Sequence, residues 1–389
     1  IMKRVVFFLF SLFFFCFSVY AEEFDITGKY VSLYNMNEDM LIYSKNDTKK
    51  TSIASLTKMM TTLVAIENID DLEKVITIKE RDFDGTVGYS KAGFSVGDKV
   101  TYLDLLYGII LPSGADAVNA IVNNTLGYNS FIKKMNETAK KIGMNDTSFA
   151  NPIGKDDENN YSTSSDIAKL LKYALKNETF KKVFTTKSYK TSNGINLEST
   201  VNSYKSILNT SEILGAKSGF TKNAGRCLAS ITTLNGVDYL LVVINSSTSS
   251  PSNAVKDTIT IYDYYSSNYG YKNILNDDTF IKEIPVDLSK GKTYKITGNE
   301  DVNKYLKNGD EVTYEYVGSD KITFNTKKGS KLGVVNIYNG DELIATSNVY
   351  LENNIEYYPI VIYVLIFIGV IFILLIIRKS KKKHRRRRR

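Results

Sequence analysis

Histidine is almost missing from this chain of 389 residues, since the single copy is His384 near the C-terminus. The body of the chain therefore cannot form a Ser-His-Asp triad, a Cys-His dyad or a histidine-based zinc site. Cysteine is scarce as well, with Cys16 and Cys227 as the two copies. Serine, lysine, tyrosine and carboxylate side chains remain as the groups that can carry catalysis, and we expect no metal or other cofactor.

Positive charge is concentrated at the two ends of the chain. The formal net charge is +8, but Lys3 and Arg4 contribute two positive charges and residues 378–389 contribute ten, which leaves −4 for the residues between them. A mildly acidic body argues against a basic groove, so nucleic acid is not an expected partner. The hydrophobic fraction of 43% and the charged fraction of 24% are those of a globular protein.

The N-terminal residues 1–21 have the features of a secretory signal peptide. A basic pair precedes the apolar run Val5–Phe17, and Val19 and Ala21 place small residues at positions −3 and −1 of a cleavage site. An uncleaved membrane anchor is the alternative interpretation.

The other end of the chain has the features of a membrane span. Ile360–Ile377 is a stretch of 18 residues without a charge, long enough as a helix to cross the hydrocarbon core of a bilayer. Tyr357 and Tyr358 stand at its near edge, and the basic residues 378–389 mark the cytoplasmic side. We therefore expect a transmembrane helix over residues 357–377, and a catalytic body held outside the cytoplasm at the cell membrane.

Hydropathy patterns between the two ends predict an α+β domain over residues 22–270 with an antiparallel sheet. Two hairpins are expected, one at the start of the domain and one built around the turn Asn235-Gly236, a strong hairpin signal. Their strands are Tyr30–Tyr34 with Met40–Ser44, and Arg226–Thr233 with Val237–Asn245. The helices expected between and after them are Ser52–Glu67 (with one buried face), Tyr102–Ile110, Asp116–Asn123, Ser164–Lys176 and Pro251–Tyr265.

Residues 271–354 have a different sequence pattern, which predicts a small all-β domain. Short β-rich runs alternate there with turns that contain glycine or aspartate, and a spacer or partner-binding role is plausible for a domain next to the membrane. The runs that we interpret as strands include Thr293–Thr297, Glu311–Val317, Lys321–Asn325 and Gly333–Tyr338.

A serine followed three residues later by a lysine is the first candidate catalytic motif. Ser55 and Lys58 have this spacing, which brings a hydroxyl and an amine to the same face of a helix. The same pattern recurs at Ser130, Ser289 and Ser380. Taken alone, any one copy is better explained as a serine at a helix start beside a solvated lysine.

Two further motifs distinguish Ser55 from the other copies. Only Ser55 opens a strongly amphipathic helix just after the first hairpin. Only Ser55 is also followed by Ser113-Gly114-Ala115-Asp116 between two predicted helices, and by Lys217-Ser218-Gly219 ahead of the last hairpin. This ordered set resembles the penicillin-binding serine peptidases, specifically the D-alanyl-D-alanine carboxypeptidases related to class A β-lactamases.

Flanking stretches extend the resemblance from Phe24 to Asn268, and a β domain follows as it does in that family. The stretches that match are Ile53–Thr61, Leu105–Gly114, Phe149–Gly154, Tyr161–Thr163 and Gly215–Thr221. The resemblance implies a β-lactamase/transpeptidase-like domain, in which an antiparallel sheet is flanked by helices and joined to an all-helical subdomain.

The resemblance also implies a role for each motif residue. Ser55 would attack the bond between the last two D-alanines of a peptidoglycan stem peptide, and Ser113 would relay a proton to the departing D-alanine. Lys58 would accept the proton of Ser55, which requires a neutral amine. Burial and the nearby ammonium of Lys217 would both lower its pKa.

The third motif and two backbone groups would hold the substrate. Lys217, Ser218 and Gly219 are expected to bind it, with the Lys217 amine and the Ser218 hydroxyl on its terminal carboxylate. The backbone N–H groups of Ser55 and Phe220 would form the oxyanion hole. The implied partners are a stem peptide that ends in D-Ala-D-Ala and β-lactam antibiotics as covalent inhibitors.

The second motif departs from the family pattern, because Ala115 stands where an asparagine is usual. That asparagine would bind the substrate, so its absence argues for reduced activity. Asp116 and Asn119 are close in sequence but are expected to point elsewhere on their helix. Ser113 has an alternative role as a helix N-cap, with Asp116 completing the capping pattern.

Two other functions remain open at this point. A β-lactamase needs a deacylating base, typically a glutamate in the loop between the second and third motifs, and Asn151-Pro152 occupies that region without one. A catalytically weakened wall-binding or scaffolding protein is the second alternative, for which Ala115 is the argument.

Two lesser features have ordinary explanations. The acidic run from Asp156 to Glu158 is better explained as a solvated loop than as a cation site. Cys227 falls in a predicted strand and is interpreted as a buried, small apolar residue.

Overall fold

The computed structural model describes residues 24–386 and divides into two compact units, with the boundary between Ser267 and Asn268. The predicted signal peptide and Cys16 lie outside the described residues, so both remain predictions. The strands of the first unit are β1 (Tyr30–Asn35), β2 (Met40–Lys45), β3 (Val75–Thr77), β4 (Lys99–Thr101), β5 (Ser188–Lys190), β6 (Asn196–Glu198), β7 (Gly215–Thr221), β8 (Gly225–Leu234) and β9 (Val237–Ser246). Its helices are α1 (Thr57–Asn68), α2 (Tyr102–Ile110), α3 (Ala115–Asn124), α4 (Tyr128–Lys141), α5 (Ser164–Ala174), α6 (Glu178–Thr185) and α7 (Asn253–Asn268).

A five-stranded antiparallel sheet organises the first unit, in the order β2-β1-β9-β8-β7. Asn235 and Gly236 both have positive φ, at 51° and 79°, and this two-residue turn pairs Leu234 with Val237. Both predicted hairpins are confirmed. The sheet order leaves β7, which carries the third motif, at an edge.

The helix after Ser55 differs from the prediction in its start and in its burial. It begins at Thr57, because Ala54–Leu56 forms a separate 3₁₀ turn. Every residue from Thr57 to Ala65 is buried, so the prediction of one buried face is wrong. Helices α2 to α6 all pack against α1, and a helix enclosed in this way has no solvent-facing side.

The remaining helix predictions agree with the structure except at their ends. Helix α2 has the predicted bounds, while α3, α5 and α7 differ by one to three residues at one or both ends. Helix α4 was not predicted, although Phe131, Met135 and Ala139 lie buried along one of its faces. Helix α6 and the short strand pairs β3-β4 and β5-β6 were also missed.

The second unit contains an all-β domain with its own apolar core. Strand β15 pairs with β14 and β16, and β10 pairs with β13 and β11 with β12, all antiparallel. Ile284, Ile296, Val335 and Ile337 are among its core residues. The strands are β10 (Tyr269–Leu275), β11 (Phe280–Pro285), β12 (Thr293–Thr297), β13 (Val302–Lys307), β14 (Val312–Gly318), β15 (Lys331–Asn339) and β16 (Glu342–Tyr350).

One predicted strand in this domain is wrong. Within Lys321–Asn325, Ile322 makes a single parallel bridge with Val286, and the following residues turn. The Thr323 hydroxyl donates to Asn325 Oδ1 at 2.7 Å, and Thr326 N donates to the Thr323 carbonyl at 3.0 Å. Such local side-chain hydrogen bonds compete with strand pairing.

The last element is the long helix α8 (Pro359–Arg386). Within residues 24–386 it is the one helix long and apolar enough to cross a membrane, over Ile362–Lys381. Its apolar side chains are exposed from Ile362 to Ile377, which is consistent with a membrane anchor.

Candidate active site

Ser55 sits in the 3₁₀ turn Ala54–Leu56, directly before α1. The preceding residue, Ala54, has a φ of +48°, an uncommon conformation for a residue with a side chain. Gly154 has a φ of +89°, and a Cβ built on it would lie 2.0 Å from the Ala54 carbonyl oxygen. Backbone strain of this kind persists only where the surroundings enforce it, and the close approach of Gly154 holds the turn that carries Ser55.

Lys58 occupies the first turn of α1 and is 1% exposed. Its Nζ lies 2.9 Å from Ser55 Oγ and donates to the Ile153 carbonyl oxygen at 2.8 Å. Burial lowers the pKa of Lys58 from 10.5 to about 7, even though the Asp116 carboxylate acts to raise it. A neutral amine with one N–H committed to Ile153 has a lone pair available for the Ser55 proton.

Lys217 lies on the edge strand β7 and is fully buried. Its Nζ donates to the Ser218 carbonyl oxygen at 2.7 Å. Burial lowers the pKa of Lys217 well below 10.5, and the charge of Lys58 lowers it further. The charge of Lys58 thus disfavours charge on Lys217, whereas the expected effect of Lys217 on the pKa of Lys58 stays a prediction.

The motif residues converge on one cleft. Ser55, Ser113, Ser218, Gly219 and Phe220 line it, while the two lysine amines lie buried beneath its surface. The structure therefore brings together every residue that the sequence proposed for the site.

Two of the serines that line the cleft, Ser113 and Ser218, have local features that fix their positions. Ser113 lies between α2 and α3 with a φ of +66°, another strained position at the cleft. Ser218 Oγ lies 2.5 Å from Thr200 Oγ1. The loop before β7 thus positions the hydroxyl of the third motif.

Strand β7 runs beside the turn that carries Ser55. A Cβ built on Gly219 would lie 3.0 Å from Ser55 N and 3.1 Å from Ala54 Cβ. Glycine permits this close approach of two backbones. The approach places the backbone of Gly219 beside the backbone N–H of Ser55, and the oxyanion hole formed by Ser55 and Phe220 stays a prediction.

Comparison with known proteins identifies the family. Residues 18–248 match the family model described as D-alanyl-D-alanine carboxypeptidase. The chain belongs to this family.

Two relatives illustrate the extent of the similarity. The D-alanyl-D-alanine carboxypeptidase DacF of Bacillus subtilis is 28% identical over 336 residues, which is 85% of this chain and 86% of the relative. The D-alanyl-D-alanine carboxypeptidase of Streptomyces sp. strain K15 is 33% identical over 227 residues, 54% of this chain and 78% of the relative.

The second unit and the overall fold also have counterparts. Residues 269–357 match a model described as the C-terminal domain of penicillin-binding protein 5. The crystal structure of penicillin-binding protein 5 from Haemophilus influenzae has the same fold, with a TM-score of 0.62 at 22% identity, over 86% of this chain and 99% of that one. The predicted fold class is confirmed: a transpeptidase-like domain followed by an all-β domain.

The sequence missed several neighbours of the carboxypeptidase motifs. The Ile153 carbonyl that binds Lys58 lies in a matched stretch, but a backbone oxygen leaves no signal of its own in the residue types. Thr200 pairs with Ser218 from a segment that carries no recognised motif. Tyr89 and Ser90 line the cleft from a loop that was not assigned to it.

The structure corrects the interpretation of Ser113 and Asp116 as a helix-capping pattern. The N-cap of α3 is Gly114, so the interpretation of Ser113 as a helix cap is wrong. Asp116 Oδ1 accepts a hydrogen bond from Ala92 N at 2.8 Å, and Oδ2 is buried without a partner among the described residues. Asp116 is not among the residues that line the cleft, but its charge acts on Lys58.

The other serine-lysine pairs lie elsewhere in the fold. Ser130 is exposed on α4, and Ser289 and Ser380 belong to the second unit. The acidic loop is tied to the third motif, because Asp156 accepts from Thr221 Oγ1 at 2.6 Å and from Asn223 N at 3.2 Å. Cys227 is 1% exposed, which confirms it as a buried residue, and burial raises its pKa to about 12.

Proposed function

We propose that this chain removes the terminal D-alanine from peptidoglycan stem pentapeptides through an ester on Ser55. One observation carries the proposal: the Ser55 hydroxyl lies 2.9 Å from a fully buried amine whose pKa is lowered to about 7. With no histidine in the described body of the first unit, Lys58 is the base within reach of that hydroxyl.

Acylation uses the two motif serines and Lys58. Ser55 Oγ attacks the carbonyl carbon of the penultimate D-alanine while its proton passes to Lys58 Nζ. The backbone N–H groups of Ser55 and Phe220 bind the oxyanion that forms, and one such donor contributes about 3 kcal/mol to the transition state. The C–N bond then breaks, and the proton returns from Lys58 through Ser113 to the departing amine.

Deacylation reverses the direction of proton flow. Lys58 Nζ accepts a proton from water, the hydroxide attacks the Ser55 ester, and Ser55 recovers its proton as the tetrapeptide leaves. A β-lactam would acylate the same hydroxyl, since its strained amide presents a carbonyl in place of the peptide. The bulky ring fragment stays attached and delays the water.

The two ends of the chain are expected to place the catalytic unit where its proposed substrate lies. Peptidoglycan lies outside the cytoplasm, and the predicted export signal with the apolar helix α8 would hold the catalytic unit there. We therefore propose a single-pass membrane protein whose catalytic unit faces the cell wall.

One observation favours a second candidate function. Ala115 is fully buried at the start of α3, so the chain offers no amide at that position to the substrate. Losing one such hydrogen bond costs about 1–3 kcal/mol, or roughly five- to hundredfold in rate. A wall-binding homologue with little turnover is therefore the alternative.

Release of D-alanine separates these functions. The full chain in detergent micelles is incubated with diacetyl-Lys-D-Ala-D-Ala, and free D-alanine is measured at steady state. Repeated turnover that is lost in Ser55→Ala and kept in Ser130→Ala supports the carboxypeptidase. Binding of the peptide without turnover would favour the scaffold, and rapid hydrolysis of nitrocefin would indicate a β-lactamase.

A further inference from the structure

Arg226 contributes an unneutralised positive charge to the cleft, and the mechanism above leaves it unused. It lies on β8 and lines the cleft together with Ser55 and Ser218. Its Nε is buried, and no described residue accepts a hydrogen bond from it. A buried donor without an acceptor is costly, so this guanidinium is set up for an anionic ligand that arrives from outside.

Strand pairing brings Arg226 to the same face of the sheet as Ser218 of the third motif. Phe220 is paired with Arg226, and Ser218 lies two residues before Phe220 on β7. Directly paired residues and residues two apart share a face of a sheet. The guanidinium carbon of Arg226 lies 4.0 Å from the centroid of the Phe220 ring, and that contact orients its donors.

Lys217 is poorly suited to bind the same ligand. Its amine is fully buried and donates to the Ser218 carbonyl, and both burial and Lys58 lower its pKa well below 10.5. An amine that is buried, donates to a backbone carbonyl and is disfavoured in its charged form is a weak partner for a carboxylate. Arginine stays charged at every relevant pH, and its fork of N–H donors matches the two oxygens of a carboxylate.

We propose that Arg226 supplies the charge that binds the C-terminal carboxylate of the substrate, with the Ser218 and Thr200 hydroxyls completing the subsite. Because these two hydroxyls lie 2.5 Å apart, one can donate to the other while the second donates to the carboxylate. This inference rests on the proposed function. It makes Arg226 a residue that selects peptides with a free C-terminus.

The test compares two substrates that differ at one group. The full chain in detergent micelles cleaves diacetyl-Lys-D-Ala-D-Ala and the same peptide as its C-terminal carboxamide. In Arg226→Gln, kcat/KM for the free acid falls about ten- to hundredfold, chiefly through KM, and the value for the carboxamide changes less than about threefold. Arg226→Lys keeps the charge without the fork and recovers part of the loss.

A control variant removes a charge from the same hairpin. Lys222 is exposed in the turn between β7 and β8, and Lys222→Gln leaves both values unchanged. An equal loss on the two substrates in Arg226→Gln would assign Arg226 a structural role, and no loss on either would exclude it from the subsite. Both results overturn the inference and leave the proposed function intact.

A β-lactam pair gives an independent readout. Benzylpenicillin carries a carboxylate, and its methyl ester does not. Arg226→Gln slows acylation by the acid about ten- to hundredfold and leaves acylation by the ester unchanged. If the unsubstituted chain neither releases D-alanine nor forms a penicillin adduct, the proposed function fails, and this inference fails with it.

Discussion

Two buried lysines set the chemistry at the scale of single residues. Lys58 and Lys217 are each enclosed by protein, and burial is the larger cause of the lowered pKa in both. An ammonium loses most of its hydration when it is buried, so the neutral form is favoured. Enclosure therefore favours the neutral amine that the proposed role of Lys58 as a base requires near neutral pH.

The pKa of Lys58 predicts the pH dependence of acylation. Lys58 must be neutral to accept the Ser55 proton, so the rate constant for acylation by benzylpenicillin should fall about tenfold per pH unit below pH 7 and level off above it. Stopped-flow mass measurements from pH 5 to pH 9 give this profile. A limb centred near pH 10 would mean that Lys58 keeps the pKa of a solvated lysine.

The charge of Asp116 is predicted to influence the pKa of Lys58. Its carboxylate acts to raise the pKa of Lys58, so Asp116→Asn should lower that pKa and move the acidic limb of the profile to lower pH. The amide oxygen can still accept from Ala92 N, which preserves the local hydrogen bond.

The groups around Lys58 make this test selective. Lys217 faces it from β7, while the buried acids Asp104 on α2 and Asp166 on α5 are hydrogen-bonded to their own neighbours. Asp166→Asn is the matched control and should leave the limb in place. An unchanged limb in Asp116→Asn would show that Asp116 has only a packing role.

At the scale of elements, the site is assembled where three backbone segments approach closely. The turn at Ala54–Leu56 lies between Gly154, in the segment that joins α4 to α5, and Gly219 of β7. A Cβ at Gly154 would overlap the Ala54 carbonyl, whereas a Cβ at Gly219 would make a tight contact with Ser55 N. Glycine at position 154 is therefore a requirement of the nucleophile turn, and Gly219 permits the close approach of β7.

Gly154→Ala should displace that turn. Its φ of +89° is unfavourable for alanine, and the new Cβ would overlap the Ala54 carbonyl. We expect acylation of Ser55 to slow at least about hundredfold and the free energy of unfolding to fall by about 2–3 kcal/mol. Both are measured on the full chain, by intact mass and by denaturant titration.

Gly143→Ala provides the matched control. Gly143 has a similar φ of +78°, but nothing lies within 4 Å of a Cβ built there. Alanine at this position should cost about 1 kcal/mol of stability and leave acylation unchanged. Equal effects of the two substitutions on acylation would show that the contact with Ala54 is unimportant.

Elements with strong local signals were predictable from the sequence, and those defined by the rest of the fold were not. The turn at Asn235-Gly236 needs two positive φ angles, which those residues supply, so the hairpin β8-β9 was found. Helix α1 is enclosed by five other helices, and no pattern in Thr57–Ala65 reports a burial that comes from its neighbours.

The residues of the candidate site also divide into those that the sequence predicts and those that only the folded chain reveals. The three motifs predicted the residues that we propose to react, because serine and lysine side chains at these spacings have a chemical meaning. The Ile153 carbonyl, Thr200 and Arg226 act through their position in the folded chain. Their residue types are common, and no motif distinguishes them from other residues of the same type.

At the scale of the whole molecule, the catalytic unit and the apolar helix belong to different compact units. Helix α8 contains the stretch Ile362–Lys381 that can span a membrane. A chain that ends at Asn354 should therefore leave the membrane fraction on carbonate extraction, whereas the full chain stays. A shortened chain that still sediments with the membranes would point to an uncleaved N-terminal anchor.

The most direct test of the central claim is the intact mass of the full chain after incubation with benzylpenicillin. If the Ser55 hydroxyl is the nucleophile, one molecule of penicillin adds covalently to the unsubstituted chain and to Ser130→Ala, and none adds to Ser55→Ala. A penicillin adduct that persists in Ser55→Ala would contradict the assignment of Ser55 and of Lys58 as its base.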